Sequence, residues 1–274
     1  MDLQEGTIRA VSLDVWETLL FESDGANQRR ADVRGRNLAN ALNRLNLQVS
    51  PETVSEAIAK MVSSMLKVWQ ENRDVSCIDQ IGLILKNVSM GSLDMRQDWV
   101  DELVSSYASS ILEVRPHLNP DARNTLKELK KRNVAIGLIC NTGLTPGIGL
   151  RRFLAEEGVV RFFDFMLFSE EIGIRKPDPK IFHLAAQKLG VQPPEMMHVG
   201  DNLRVDVWGA KNAGLRAVHF SSQEGRDRIA ESDPGSLVSL SRRLDDSTAN
   251  RTVPDLKISS LSMLVKVLSD MEKG

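Results

Sequence analysis

Thr7-Ile8-Arg9-Ala10-Val11-Ser12-Leu13-Asp14-Val15-Trp16-Glu17-Thr18-Leu19-Leu20 is the stretch from which the fold is read. Rich in apolar and β-branched residues, it reads as a buried strand that delivers one acidic side chain, Asp14, where the run stops. In an open parallel sheet, ligands bind in the crevice beyond the carboxyl ends of the strands, so an acid placed there faces a substrate. A strand-end aspartate also caps turns, and the reading depends on whether the chain supplies Asp14 with partners.

After a polar stretch from Glu22 to Asn27, Leu38, Leu42 and Leu45 recur at helical spacing. Ser50-Pro51-Glu52 then supplies an N-cap and a first-turn proline. Apolar stripes follow at Val54, Ile58, Met61, Met65 and Trp69, at Ile78, Ile81, Leu85 and Val88, and at Trp99, Leu103, Tyr107 and Ile111. The span from about Gly25 to Val114 therefore reads as an all-helical unit of about four antiparallel neighbours, with no strand in it.

Beyond it the pattern changes. Helix signals at Ala122 to Arg132, Leu150 to Glu157, Pro179 to Leu189 and Leu203 to Ala213 alternate with strand signals at Val134 to Cys140, Phe165 to Ser169, Met196 to Gly200 and Leu215 to Phe220. Strands separated by helical crossovers form a parallel sheet covered on both faces. The expected fold class is thus α/β, a doubly wound sheet with the helical unit inserted after its first strand. The core spans 1–22 and 115–274; residues 23–114 sit above the strand ends as a lid. Ser221 to Thr252 is polar and reads as a long surface excursion, with a short docking helix as the alternative; Pro254 to Ile258 and Leu261 to Met271 read as a closing strand and helix.

The 35 basic and 37 acidic residues leave a formal charge of −2, which gives no footprint for nucleic acid and points to a small-molecule partner. Cys77 and Cys140 lie in different kinds of segment, so no disulfide is expected. Without a signal-peptide pattern or a membrane-spanning apolar run, the expected location is cytoplasmic.

The strand ends share one chemistry. Asp14 and Thr18 follow the first strand, Cys140-Asn141-Thr142-Gly143 the second, Arg175-Lys176-Pro177-Asp178-Pro179 the third, and Gly200-Asp201-Asn202 the fourth. Asp14 and Asp201 are hard oxygen ligands suited to Mg²⁺, and with Lys176 that ion offsets the repulsion between two carboxylates and a phosphate. Asn141, Thr142 and nearby backbone amides can cradle phosphate oxygens. The set favours metal-assisted phosphoryl transfer.

In that order the motifs resemble the haloacid dehalogenase superfamily, in the branch with a helical cap after the first strand. Asp14 to Leu19 looks like its first motif, Leu138 to Gly143 the second, Lys176-Pro177 the third, and Gly200-Asp201 with Asp206 the fourth. The resemblance implies a Rossmann-like core in which Asp14 is the nucleophile and forms an aspartyl-phosphate. It implies Mg²⁺ held by Asp14, Asp201 and the backbone carbonyl of Trp16, with phosphate bound by Thr18, Cys140, Asn141, Thr142 and Lys176. Asp206 and Asn202 would stand behind these, Asp206 orienting a metal water or Lys176; a helix-start acid favoured by the dipole is the alternative for Asp206.

Two positions depart from that pattern. The family's phosphatases carry a second aspartate two residues after the nucleophile, as general acid and base, where this chain has Trp16. An indole N–H cannot shuttle a proton. Glu17 can replace it if its carboxylate turns inward, although neighbours on an extended segment point to opposite sides. Cys140 replaces a Ser or Thr with a weaker donor. Aromatic residues at the acid position occur in the family's dehalogenases, so 2-haloacid dehalogenation is the second expectation and a catalytically weakened binding protein the third. Arg29, Arg30, Arg34 and Arg36 offer the cap a group for a substrate carboxylate or second phosphate; a solvated basic face is the alternative.

Overall fold

The computed structural model describes residues 7–89, 95–222 and 252–271. β1 (Ala10–Leu13) is the third strand of a six-stranded parallel sheet, and every one of its residues is buried. It pairs on one side with β4 (Ala135–Cys140), Ala10 opposite Ala135, and on the other with β6 (Met196–Gly200), Ala10 opposite Met196. β5 (Phe165–Phe168), followed by the short α8 (Ser169–Ile172), lies outside β4, and β7 (Arg216–Phe220) and β8 (Leu256–Ile258) extend the sheet beyond β6.

The period of two in β1 divides the core. Val11 and Leu13 face a cluster containing side chains of α6 (Ala122–Lys131), α7 (Gly147–Glu156) and α11 (Ser262–Met271). Ala10 faces the opposite cluster, built from α9 (Pro179–Leu189) and α10 (Gly209–Asn212). Burial on both faces explains why these strands are apolar runs rather than alternating ones.

The first strand is shorter than its sequence signal. The chain turns after Asp14, with the Val15 carbonyl accepting from the amides of Leu19 and Leu20, and Glu17 takes a left-handed φ of 56° in that turn. β2 (Leu20–Phe21) then pairs antiparallel with β3 (His117–Leu118), Leu20 opposite Leu118. Two-residue strands carry no periodicity, so this pair had no sequence signal.

Between β2 and β3 run α1 (Ala26–Arg44), α2 (Pro51–Gln70), α3 (Cys77–Val88), α4 (Val100–Ala108) and the short α5 (Ser110–Glu113). Ser50 caps α2 by accepting from the Thr53 amide, and Ser76 caps α3 through the Asp79 amide. Leu38, Leu42, Val54, Met61, Met65, Ile81 and Leu103 form a third cluster that belongs to these helices. Two members of the sequence stripes lie elsewhere: Ile78 is 48% exposed, and Ile111 joins the sheet core. No described helix is long and apolar enough to cross a membrane. Nearly all of the 221–252 excursion lies outside the described residues.

Candidate active site

Lys176 joins the strand ends. Its buried Nζ donates to Asp14 Oδ1 at 2.6 Å and to Asp206 Oδ1 at 2.7 Å. Asn141 fixes the backbone that carries it: the Lys176 amide donates to Asn141 Oδ1, and Asn141 Nδ2 donates to the Lys176 carbonyl, each at 2.9 Å. The Asn141 carbonyl oxygen and one amide hydrogen are thus spent on Lys176, which narrows the phosphate-cradling role expected for this side chain. Asp178 caps α9 through the Lys180 amide and anchors the other end of the lysine loop.

Asp206 sits in a π-helical turn, Leu203–Trp208, where the sequence predicted an ordinary helix to Ala213. The amides of both Asp206 and Val207 donate to the Asn202 carbonyl, widening the turn, as happens often at functional sites. Asn202 starts that turn by accepting from the amides of Arg204 and Val205, and its own amide donates to Asp206 Oδ2 at 3.0 Å. Among the two readings of Asp206, the geometry is that of a lysine partner.

His198, in β6, was missed at the sequence level. Its Nε2 lies 3.2 Å from Asp206 Oδ1 and its Nδ1 2.8 Å from Ser12 Oγ. A carboxylate only accepts, so Nε2 carries the proton and Nδ1 accepts from the serine hydroxyl. The available signal was a lone polar residue in the apolar run Met196 to Gly200, matched by Ser12 opposite it in β1.

Carboxylate oxygens of Asp14, Asp201 and Asp206 lie within 4.8 Å of one another, with Asp201 the most exposed of the three. Burial, together with Asp206 and Asp201, pushes the Asp14 carboxyl up to about 8 against the pull of Lys176. Burial works in the same direction on Asp206, but Lys176 and His198 overcome it and hold Asp206 below the usual carboxylate range. Burial would lower Lys176, yet the two carboxylates hold it raised and protonated. His198 is lowered by burial and stays neutral. Even with Asp14 protonated, one ammonium against two ionised carboxylates leaves surplus negative charge, and a set of hard oxygens this close fits a divalent cation of the Mg²⁺ type.

The remaining expected residues fall around this centre. Cys140 is buried, and burial pushes its thiol well up, so it is a protonated, weak donor. Thr142 is buried with its amide donating to Ser169 Oγ at 3.0 Å. The buried Thr18 hydroxyl has no partner among the described residues. Trp16 lies under Arg30, whose guanidinium carbon is 5.5 Å from the ring centroid. Glu17 accepts at Oε1 from the Glu22 amide, 3.4 Å away, and is not in the acidic cluster.

The four arginines differ. Arg29 donates to the Asp24 carbonyl and Arg36 pairs with Glu113 at the surface. Arg30 is spent on Glu22 and on the Val114 carbonyl, tying together the two ends of the helical insertion. Arg34 is buried against Tyr107, reaches Thr145 only at 3.5 Å, and has no ion pair among the described residues.

Comparison with known proteins identifies the family. Residues 8–214 match the family described as haloacid dehalogenase-like hydrolase. A glyceraldehyde 3-phosphate phosphatase of Methanopyrus kandleri is 28% identical over 269 residues, covering 97% of this chain and 99% of that protein. A phosphoserine phosphatase of Thermus thermophilus is 42% identical over 101 residues, 37% of this chain and 39% of that protein. Among solved structures, a 2-haloacid dehalogenase from Pseudomonas syringae superposes with a TM-score of 0.64 at 21% identity, covering 97% of this chain and 100% of the other. A phosphatase from Thermococcus onnurineus gives 0.54 at 24% identity, covering 95% and 97%; at these identities the likeness is one of fold. The chain belongs to the haloacid dehalogenase-like hydrolases.

Proposed function

We propose that the protein is a Mg²⁺-dependent phosphohydrolase acting on a small phosphorylated molecule, with Asp14 as its nucleophile. The observation that carries this is the Lys176 ammonium held between Asp14 and Asp206, beside Asp201. A carboxylate oxygen of Asp14 attacks phosphorus, the bond to the leaving oxygen breaks with its electron pair going to that oxygen, and an aspartyl-phosphate results. Water then attacks that phosphorus, the bond to the Asp14 oxygen breaks and its electron pair returns to the carboxylate, and phosphate leaves; the proton water loses goes to solvent, which protonates the released oxyanion. Lys176 steadies the nucleophile and the phosphoryl oxygens, and the Thr18 hydroxyl and the backbone amides that follow Thr142 supply further donors, the Thr142 amide and hydroxyl themselves being engaged with Ser169. Asp14, Asp201 and the backbone carbonyl of Trp16 would hold Mg²⁺, which when bound offsets the charge of the carboxylates and of the phosphoryl group.

In this reading residues 1–22 and 115–274 are the catalytic core and residues 23–114 its cap. Arg34 is the cap group suited to a second anion on the substrate, a carboxylate or another phosphate, because a buried guanidinium is costly until paired. The phosphatases among the relatives support the reaction, and the free cysteines suit a reducing cytoplasm.

Dehalogenation is the second reading, favoured by the absence of a carboxylate at position 16, since a leaving halide needs no proton. One panel separates them: phosphate esters and 2-haloacids, each with and without Mg²⁺. Phosphate release that a chelator stops supports the proposal; halide release insensitive to the chelator moves the assignment to dehalogenase.

A further inference from the structure

The loop between α2 and α3 reaches out of the helical unit and grips the segment that carries Lys176. The Asp74 amide donates to the Gly173 carbonyl at 3.1 Å and the Arg175 amide to the Asn72 carbonyl at 2.9 Å, on either side of an antiparallel bridge between Arg73 and Ile174. At the centre is the Asp74 side chain, fully buried and supplied with four donors. Oδ1 accepts from Trp69 Nε1 and from the Val75 amide, each at 2.9 Å. Oδ2 accepts from Arg175 Nη1 at 2.6 Å and from Ser169 Oγ.

Two of those donors belong to the catalytic loops. Ser169 Oγ, while donating to Asp74, accepts from the Thr142 amide. Arg175, which precedes Lys176, lies over Trp69 with its guanidinium carbon 4.8 Å from the ring centroid. A single carboxylate from the helical insertion therefore orders the loop after β4 and the loop before α9. Removing it leaves a mostly buried guanidinium and a hydroxyl–amide relay without their acceptor, a defect those loops relieve by moving.

We propose that Asp74 is a positioning residue for the hydrolase, setting the Thr142 and Lys176 loops when the helical insertion is seated on the core. The proposal rests on the phosphohydrolase reading for what those loops do, but not for whether Asp74 holds them.

The test must separate positioning from simple tethering. Arg73 and Ile174 are a non-hydrogen-bonded antiparallel pair, where Cα atoms lie about 4.5 Å apart, within the roughly 4.4–6.8 Å that a disulfide spans. Three variants, in a Cys77→Ser background, are compared with p-nitrophenyl phosphate and Mg²⁺: Asp74→Ala, Asp74→Asn, and Asp74→Ala with Arg73→Cys and Ile174→Cys. Expected is a fall in kcat of about tenfold or more for Asp74→Ala with KM within about twofold, a partial loss for Asp74→Asn, and no recovery when the disulfide forms. Recovery of parental kcat by the oxidised cross-link would show a tether and overturn the proposal, as would an unaffected Asp74→Ala. Amide hydrogen exchange supplies the readout that needs no turnover: faster exchange in residues 141–146 and 173–176 of Asp74→Ala, with β1, β4 and β6 unchanged, is expected even in the oxidised cross-linked variant. If the parent protein leaves p-nitrophenyl phosphate and every other phosphate ester intact, the phosphohydrolase reading falls, and exchange alone decides; unchanged protection in both loops then overturns the positioning role.

Discussion

Gly200 and Asp206 are in close contact: a Cβ at position 200 would lie 2.3 Å from Asp206 Cγ. The glycine at the end of β6 is therefore a packing requirement for the Lys176 partner Asp206 as much as a turn signal. Gly200→Ala is expected to push Asp206 off Lys176, cost about 1–3 kcal/mol as an overpacked site, and lower kcat well beyond what that stability loss explains. Thermal unfolding and steady-state kinetics on the same preparation check both parts.

Ser12 and His198 support the same carboxylate from behind. Ser12→Ala removes one buried hydrogen bond, worth about 1 kcal/mol, and leaves Nδ1 of His198 unpaired. The expected result is a modest fall in stability and kcat with KM unchanged. His198→Phe strips a donor from Asp206 and should cost more kcat than Ser12→Ala; equal kcat in the two variants would show that the imidazole does not support Asp206.

The pH dependence of stability has a worked sign. Asp14 is raised to about 8 in the folded state from 3.8, so without Mg²⁺ the folded protein holds a proton that the unfolded chain has released, and stability falls as pH rises from about 4 to about 8. His198 is lowered from 6.5, so the unfolded chain binds the extra proton there and stability rises with pH up to about 6.5. The two oppose each other below that point, and the net fall lies between about 6.5 and 8. Unfolding midpoints measured in chelator should decline over that window, and either Mg²⁺ or Asp14→Asn should flatten the slope.

Asp14→Asn should also reduce turnover below detection while leaving the fold intact by circular dichroism. Retained activity would remove Asp14 as nucleophile.

Position 16 carries an indole where a carboxylic acid would protonate a leaving oxygen, and the Glu17 side chain accepts from the Glu22 amide. Aryl and acyl phosphates should therefore be cleaved much faster than alkyl phosphates. A series of phenyl phosphates should show kcat rising steeply as the phenol becomes more acidic; a flat series would mean that another group supplies the proton.

Arg34→Met removes a buried charge that has no ion pair among the described residues. The ligand-free protein should lose little stability, since the cation–π contact with Tyr107 is worth about 0.5–2 kcal/mol and the desolvation cost disappears with the charge. KM for carboxylate-bearing phosphates such as phosphoserine should rise about tenfold or more, the value of a charge-assisted hydrogen bond, with p-nitrophenyl phosphate little affected.

Much of this protein was legible in one dimension, because its large signals are local. Apolar runs of strand length and stripes at helical spacing report burial directly, and the acids and lysine at strand ends follow from a parallel sheet that gathers its carboxyl ends. Asp14, Asn141 and Asp201 directly follow β1, β4 and β6, while Lys176 and Asp206 lie in the segments that come after β5 and β6. The short pair β2–β3, the π-helical turn around Asp206 and the turn that reverses Glu17 had no such signal, since each is set by hydrogen bonds between a few residues rather than by a repeat.

What the chain determined by itself was therefore the α/β class, the place of the helical insertion and the chemical types at the crevice, all consequences of hydrophobic period and residue chemistry. What the tertiary structure alone decided was who holds whom. Asn141 clasps the lysine backbone, Ser12 and His198 back Asp206 from neighbouring strands, and Asp74 arrives from about a hundred residues before Arg175 to bind it, a separation of 101 in sequence closed to 2.6 Å. Such contacts depend on strand register and on the seating of the helices. Neither is encoded in any single window of sequence, because each arises from the simultaneous burial of segments far apart in the chain.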